Sequence, residues 1–494
     1  MKLPTVSEET SLTMARKKTV ALNDDSARNI AVNALLALER DGRYLQDTIN
    51  EIFRRCNLPS RDRHLAEELA RGSCRQLISL DYLTRQHSNR PRRQIDPVVL
   101  QILRIGLYQM VYLSRTPDFA AVSEAVEQAK QCEIRGCDSF VNAVLRSVQQ
   151  HIKGPITSSD SPPPRAVLWL DENHACLFAD DFLPDPARNV VKYLSAAFAH
   201  PPWLIEKWLK RHDRQTVTAI CRADNTRPCL WLRLNRLRCR PEEFEARLQT
   251  DGIAFQRHGH AVRLLASADP AQLPCYDDGW FSVQDITAMS VAPLLEPRPG
   301  MHILDLCAAP GGKTTHLGEL MDNTGTIAAC DVNSEKLRRI EENCRRLGIS
   351  IVQTVIPDQL EQHTQQTGLF DAVLVDAPCS NTGVLARRVE ARHLLKPVVI
   401  QRLVQKQAEL LQRAGRLVRP GGTIVYSTCS IEPTENKLQV EKFLRDNRSF
   451  HLAEEHLRLP VLGQADPTTG GPENPTHLHA PHDGGYVAVL TGGQ

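Results

Sequence analysis

No Cys-x-x-Cys pair occurs among the 14 cysteines of this 494-residue chain. Cys132 and Cys137 are close, but no second pair and no His pair completes a ligand set. The cysteines therefore read as reduced thiols of a cytoplasmic protein, neither disulfide-bonded nor metal-binding. No uncharged apolar run reaches the roughly 18 residues that a membrane span needs. The best candidate, Val98–Leu113, is interrupted by Arg104. The first residues lack the apolar core of a signal peptide. Met14-Ala15-Arg16-Lys17-Lys18 reads as an alternative start, which would make residues 1–13 an extension. An excess of charge is missing too: 60 basic against 58 acidic residues give a net charge of +2. The chain is not a polycation, so any nucleic-acid contact must come from local patches.

What is present suggests about three domains for this length. Residues 1–25 read as a flexible N-terminus. Residues 26–152 read as helical: Ala27, Ile30, Ala31, Ala34, Leu35 and Leu38 recur at helical spacing. Further helices are predicted at Arg61–Leu77, Pro97–Tyr112, Val122–Gln131 and Ser139–His151. The cluster Arg85, Arg90, Arg92 and Arg93 reads either as a solvated loop or as a phosphate contact. Lys153–Arg165, rich in Pro, Gly and Ser, reads as a linker, and 153–196 as linker and lead-in. Residues 197–296 read as a small α/β module. It has a helix at Trp203–Arg211, strands at Leu230–Leu234, Gly252–Arg257 and Ala261–Leu265, and a helix at Pro241–Thr250 opened by its proline. Arg222, Arg227, Arg233, Arg236, Arg238 and Arg240 crowd it, which favours an RNA-facing surface. A second apolar helix is predicted at Ile286–Leu295.

From 297 to 494 strands and helices alternate, the signature of a parallel α/β sheet. Strands are predicted at 302–306, 326–330, 351–355, 371–375 and 423–427, and helices at 314–321, 334–347, 399–414 and 435–445. Between the first strand and its helix lies Cys307-Ala308-Ala309-Pro310-Gly311-Gly312-Lys313. A glycine pair at such a turn lets the backbone approach a ligand closely. The loop is not a P-loop, because Cys307 stands where the first glycine is required, and the dinucleotide Gly spacing is absent. Asp331 at the tip of the next strand suits two ribose hydroxyls. A nucleoside cofactor without a pyrophosphate fits both features, namely S-adenosyl-L-methionine.

Two later strands each end in a cysteine. Phe370–Val375 runs into Asp376-Ala377-Pro378-Cys379-Ser380, and Thr423–Tyr426 into Ser427-Thr428-Cys429-Ser430. An isolated cysteine is usually a small apolar core residue. Two at successive strand tips beside a cofactor loop point to thiol chemistry. After them, Leu457–His482 reads as a loop; His477, His479 and His482 have no carboxylate or Cys framework to make a metal site. Asp483–Leu490 alternates like a closing strand.

Four stretches, Cys307–Lys313, Asp331, Asp376–Ser380 and Ser427–Ser430, together resemble the RNA cytosine-5 methyltransferases. The front domain resembles the NusB-like RNA-binding domain through Asp62-Arg63 and Phe140–Arg146. The combination is similar to bacterial 16S ribosomal RNA methyltransferases. The resemblance implies an all-α NusB-like domain, a small RNA-recognition module and a Rossmann-like methyltransferase domain. It also implies S-adenosyl-L-methionine as cofactor and small-subunit 16S rRNA as partner; with no apolar span and no ligand framework the protein is expected to use no membrane and no metal, and to act as a monomer. By the resemblance Cys429 is the nucleophile, Cys379 releases product, and Asp376 contacts the cytosine edge and the methyl-donor region. Cofactor contacts fall to Cys307, Ala308, Ala309, Pro310, Gly311, Gly312, Lys313, Asp331, Asp358 and Asp376, with Asp358 on the adenine amine. Family members often carry Arg-Arg-His-Pro-Asp after the Pro-Cys motif; here Ala386-Arg387-Arg388-Val389-Glu390-Ala391-Arg392 stands instead. The competing readings are a non-catalytic RNA-binding factor and the same chemistry on transfer RNA.

Overall fold

The structure, a computed structural model, describes residues 21–113, 116–158, 164–266, 268–461 and 481–493. Most of the predicted N-terminal segment, and His477 and His479, lie outside them. The chain divides into two compact units: one ends at Thr226 and also holds Arg388–Leu394; the other comprises Arg227–Arg387 and Leu395–Gln494.

The first unit is helical over Ala27–His151. Ser26 caps its first helix, Ala27–Asp41, by accepting from Asn29 N at 3.2 Å. The stretch predicted as one helix, 61–77, is Ser60–Arg75 followed directly by Leu77–Ser88, and Leu45–Phe53 adds a helix that the pattern did not predict. Arg104, which interrupts the apolar run, is fully buried in the helix Pro97–Tyr112. Its guanidinium forks onto Asp81, with both bonds 2.6 Å, and donates to Glu39 at 2.7 Å. A buried charge is tolerated when paired in this way. Among the described residues no helix is long and apolar enough to cross a membrane.

The predicted linker differs. Ile152–Thr157 is a strand (β1) in an antiparallel sheet of order β1-β3-β2, with β2 at Val167–Trp169 and β3 at His174–Phe178. Proline and glycine misled the prediction because β1 is an edge strand, where a missing N–H breaks no ladder. The register slips between Ile152 and Gly154. Three helices, Val190–Phe198, Pro202–Leu209 and Arg214–Asn225, complete this unit's main segment.

The second unit opens with a four-stranded antiparallel sheet of order β5-β6-β4-β7: β4 Trp231–Leu234, β5 Phe255–His258, β6 Ala261–Leu264 and β7 Phe281–Val283. The helix Pro241–Thr250 packs on it through Phe244 and Leu248. Asn235 donates to Gly279 O at 2.8 Å within this module and to Leu347 O at 2.9 Å at the end of the helix Ser334–Leu347, tying the two together. Gly279 lies at φ 71, and a Cβ there would fall 2.0 Å from Arg346 O, so only glycine fits. The predicted helix 286–295 is broken into an α-turn, Ile286–Met289, and a 3-10 turn, Ala292–Leu295. Pro293 lacks the N–H that a continuous helix would need there.

The large sheet has seven strands in the order β10-β9-β8-β11-β12-β14-β13. They are β8 His302–Asp305, β9 Thr326–Cys330, β10 Val352–Val355, β11 Phe370–Asp376, β12 Val418–Thr428, β13 Phe450–Arg458 and β14 Gly485–Gly492. β8 to β12 are parallel; β14 runs antiparallel between β12 and β13. Both faces are apolar, so strand residues alternate between two cores. Leu304, Val373, Val375, Ile424 and Tyr426 meet Leu410, Leu411, Ala414, Val440 and Phe443 of the helices Pro397–Leu417 and Lys437–Asp446. Ile303, Ala372, Leu374 and Val425 meet Leu317, Met321 and Leu295. The strand order reverses between β8 and β11, so the crevice for a ligand opens beyond their carboxyl ends.

Candidate active site

The loop after β8 delivers the predicted cofactor residues to that crevice. Gly311 adopts φ 101, and a Cβ there would meet Ile340 Cγ1 at 3.2 Å. Gly312 starts the helix Gly312–Leu320, and a Cβ on it would meet nothing nearer than Gln284 Nε2 at 3.9 Å. No side chain caps this helix. Its first N–H groups have no partner within the helix and no side-chain cap. A free helix N-terminus of this kind suits an anionic group. Asp331 follows β9; its Oδ1 accepts from Asn333 N at 3.0 Å and its Oδ2 from Ala309 N at 3.3 Å. Asp358 is exposed in the 3-10 turn Pro357–Gln359 after β10, the neighbouring strand.

Lys313, on the first turn, reaches back to Asp376 at the end of β11: Nζ donates to Oδ2 at 2.6 Å. The Lys313 side chain is 11% exposed and that of Asp376 29%. Burial opposes the ammonium form, but Asp376, Cys429 and Asp305 together hold the Lys313 pKa above its usual value. Asp376 Oδ1 accepts from Ser427 Oγ at 2.8 Å, which fixes the carboxylate across the β11–β12 pair. Beneath them Asp305, fully buried at the end of β8, accepts from Thr314 Oγ1 at 2.7 Å. Burial pushes its pKa up to about 7.

Cys379 and Cys429 stand at the tips of the adjacent strands β11 and β12, and their thiols are within hydrogen-bonding reach of each other. The same bond moves the two groups in opposite directions. Cys429 is lowered by the hydrogen bond from Cys379 and by Lys313, against burial and Asp376. Cys379 is raised by donating that bond, by burial and by Glu435. Of the two, Cys429 is the more readily ionised. A cavity of about 50 Å³ opens beside Cys429, lined among others by Lys313, Asp376, Asp285, Asp483 and Tyr486.

Three groups at this site were not assigned a role from the sequence, although Arg387 belongs to the Arg pair that survives from the family's motif. Arg387 donates from Nη2 to Asp285 Oδ2 at 2.8 Å and from Nε to Asp483 Oδ2 at 2.5 Å, joining the lead-in, the Pro-Cys loop and the closing segment. Asp305 reads as a polar strand end. Glu435 reads as a helix residue, although it follows Cys429 by only six positions.

The arginine-rich patch requires correction. Arg233 is not RNA-facing: it is buried, bonded to Glu319 Oε1 at 2.7 Å and to Gly312 O at 2.8 Å. Strand alternation turned it inward, onto the cofactor helix. Arg222 lies over Trp169, whereas Arg227, Arg236, Arg238 and Arg240 are exposed. In the departing stretch, Arg388 is exposed, while Arg392 is buried within the helical unit. It donates to Asn225 Oδ1 at 2.8 Å and Asp224 O at 2.9 Å, and burial lowers it to about 10. No group of His, Cys, Asp and Glu able to hold a metal occurs among the described residues.

A sheet of this order, with a glycine turn and an acidic strand tip at its switch point, defines a Rossmann-like methyltransferase that uses S-adenosylmethionine. Residues 292–490 match the 16S rRNA methyltransferase RsmB/F model, 25–150 the NusB family and 200–269 the ferredoxin-like domain of RsmF/B-like methyltransferases. The chain is 34% identical over 429 residues to a probable ribosomal RNA small subunit methyltransferase B of Bacillus subtilis, covering 86% of this chain and 89% of that one. It is 31% identical to ribosomal RNA small subunit methyltransferase B of Serratia proteamaculans, covering 95% and 99%. The crystal structure of PH0851 shares the fold, with a TM-score of 0.68 and 23% identity over 96% of this chain and 100% of that one. The chain belongs to the RsmB/F family of 16S rRNA methyltransferases.

Proposed function

We propose that this enzyme methylates C5 of a cytosine in 16S rRNA through a covalent bond between Cys429 and C6 of the base. The observation that carries the reading is the pair of thiols on adjacent strand tips, polarised in opposite directions beside Lys313 and Asp376. Cytosine C5 is a poor nucleophile. Attack of the Cys429 thiolate on C6 breaks the C5–C6 π bond and turns C5 into an enamine carbon, with charge gathering at N3 and O2. The Lys313 ammonium, fixed by Asp376, is the cation that stabilises this charge, and the Asp376 carboxylate accepts from the exocyclic amine on the cytosine edge. S-adenosylmethionine, when bound, supplies an electrophilic methyl group to C5. A base then takes the C5 proton, and the electron pair restores the C5–C6 double bond as it expels Cys429. Cys379 serves this release. Asp331 would hold the ribose hydroxyls, Asp358 the adenine amine, and Cys307–Lys313 the remainder of the cofactor. The target nucleotide must leave its stack to reach the sulfurs.

The test is methyl transfer from labelled cofactor to 16S rRNA, with the product base identified by nuclease digestion and mass spectrometry. Cys429→Ala is expected to abolish transfer, and Cys379→Ala to accumulate an RNA adduct stable to denaturant. Full activity in Cys429→Ala, or a methyl group elsewhere than C5, overturns the proposal. Tight RNA binding with no cofactor binding would favour the non-catalytic reading, and labelled transfer RNA would favour the other.

A further inference from the structure

The site contains one buried acid that these steps do not use. Glu435, in the 3-10 turn Pro433–Glu435, is fully buried. Its Oε1 accepts from Ser380 N at 2.8 Å and Gln407 Nε2 at 3.0 Å. Its Oε2 accepts from Ser430 Oγ at 2.6 Å and from Ser380 Oγ. Ser380 and Ser430 are the residues immediately after Cys379 and Cys429. Two further bonds brace the same loops: Ile431 N to Thr382 Oγ1 at 3.1 Å, and Gly383 N to Cys429 O at 2.9 Å. Gln407 also donates to Pro378 O at 2.9 Å, just before Cys379.

Four groups converge on the two oxygens: burial pushes the Glu435 carboxyl above its usual range, and the bonds from Ser380, Ser430 and Gln407 oppose that rise. Among the described residues no Lys, Arg or His forms an ion pair with it. Enclosing an anion with no cation is unfavourable, and simply tying two loops together does not need the charge. The charge does have a neighbour: Glu435 accepts from Ser380 N at 2.8 Å, one residue past Cys379, and raises that thiol, while the Tyr426 hydroxyl donates to Glu435 O at 2.6 Å. Cys429 faces Lys313, Asp376, Asp483 and Cys379. Lys313 is thus the one cation acting on Cys429, against two carboxylates, whereas Glu435 acts on Cys379 with no cation beside it.

We propose that Glu435 is a positioning residue that divides the labour between the thiols. It sets the Cys379 and Cys429 loops in register and holds negative charge beside Cys379, so that attack falls to Cys429. The inference rests on the covalent reading above for its catalytic consequence, but its electrostatic part can be read without RNA.

The full-length chain, without RNA or cofactor, is alkylated with iodoacetamide across pH 6–10, and each cysteine is followed by peptide mass spectrometry. In the unaltered protein Cys429 is expected to react at lower pH than Cys379. In Glu435→Gln, which keeps the shape and removes the charge, Cys379 at pH 8 is expected to react about tenfold faster, narrowing the gap. Turnover should fall at least about tenfold, with KM for the cofactor within about twofold, because the defect lies in the chemical step. Glu435→Asp keeps the charge and shortens the reach; it should preserve the order of thiol reactivity while lowering kcat. Unchanged alkylation profiles in Glu435→Gln overturn the proposal, as does a variant in which both cysteines change equally. If Glu435→Gln does not fold, Ser430→Ala removes one tether and leaves the charge: lowered kcat with the thiol order retained supports the proposal, and unchanged kcat overturns it. Failure of the covalent reading is seen separately, as methylation that survives Cys429→Ala.

Discussion

Arg233→Leu tests the idea that the small module braces the cofactor helix. In the protein, the Arg233 guanidinium meets Glu319 through Nη2–Oε1 at 2.7 Å and Nε–Oε2 at 3.2 Å, and both side chains are 2% exposed. It also donates to Gly312 O at 2.8 Å and Thr315 Oγ1 at 3.1 Å, on the first turn of the helix Gly312–Leu320. Leucine leaves Glu319 buried without its cation, a loss of about 3–5 kcal/mol. At about 2–4 °C per kcal/mol for a unit of this size, the melting temperature should drop by about 6–20 °C at pH 8. The deficit must depend on pH. Burial already holds the Glu319 carboxyl above its usual range, and Arg233 opposes that rise. Without Arg233 the folded-state pKa climbs further. A raised acid retains its stability at low pH and loses it as pH rises toward the folded-state value, so the deficit should shrink at pH 5.5. Replacing both partners, Arg233→Leu with Glu319→Leu, should return stability to within about 2 kcal/mol of the original. Thermal melts at the two pH values measure all three. A single-variant loss under about 1 kcal/mol at pH 8, or an equal loss at both pH values, would refute the reasoning.

Asp331→Ala should weaken S-adenosylmethionine about 10- to 100-fold, the value of one or two hydrogen bonds to a charged group, by calorimetric titration; an unchanged Kd removes Asp331 from the cofactor site. Gly311→Ala should cost about 1–3 kcal/mol in a denaturant melt, because its φ of 101 disfavours a side chain and Ile340 stands 3.2 Å from the new Cβ. A neutral substitution would contradict that backbone. Asp305, with its pKa near 7, should make the protein lose stability as pH rises from about 4 to about 7, by at most about 4 kcal/mol, and Asp305→Asn should flatten that interval. A melt series in which both proteins show the same slope would exclude Asp305 as its source.

The parallel sheet and the loop after β8 were legible because they are local. Apolar runs at 302–306 and 326–330, a glycine pair and an acid at the next strand tip each declare themselves within a few residues, and β9 is observed with the predicted ends. The two strand-tip cysteines were legible for the same reason. The linker prediction failed because Gly154 and Pro155 have the composition of a loop, whereas edge pairing with β3 makes them a strand. Arg233 was misread because charge alone does not say which face of β4 is covered. The decision came from Glu319, 86 residues away, and from the carbonyl of Gly312.

By itself the amino-acid order determined the alternation of strands and helices from β8 to β12, the turn that can admit a nucleoside, and the presence of two thiols at strand ends. Each follows from residue type, period and spacing along a short stretch. Only the tertiary structure decided that the two cysteines stand on adjacent strand tips, that Glu435 ties the loops that follow them, and that Arg392 is buried within the helical unit. Those outcomes depend on distance and desolvation between groups remote in sequence, and neither quantity exists until the chain has folded.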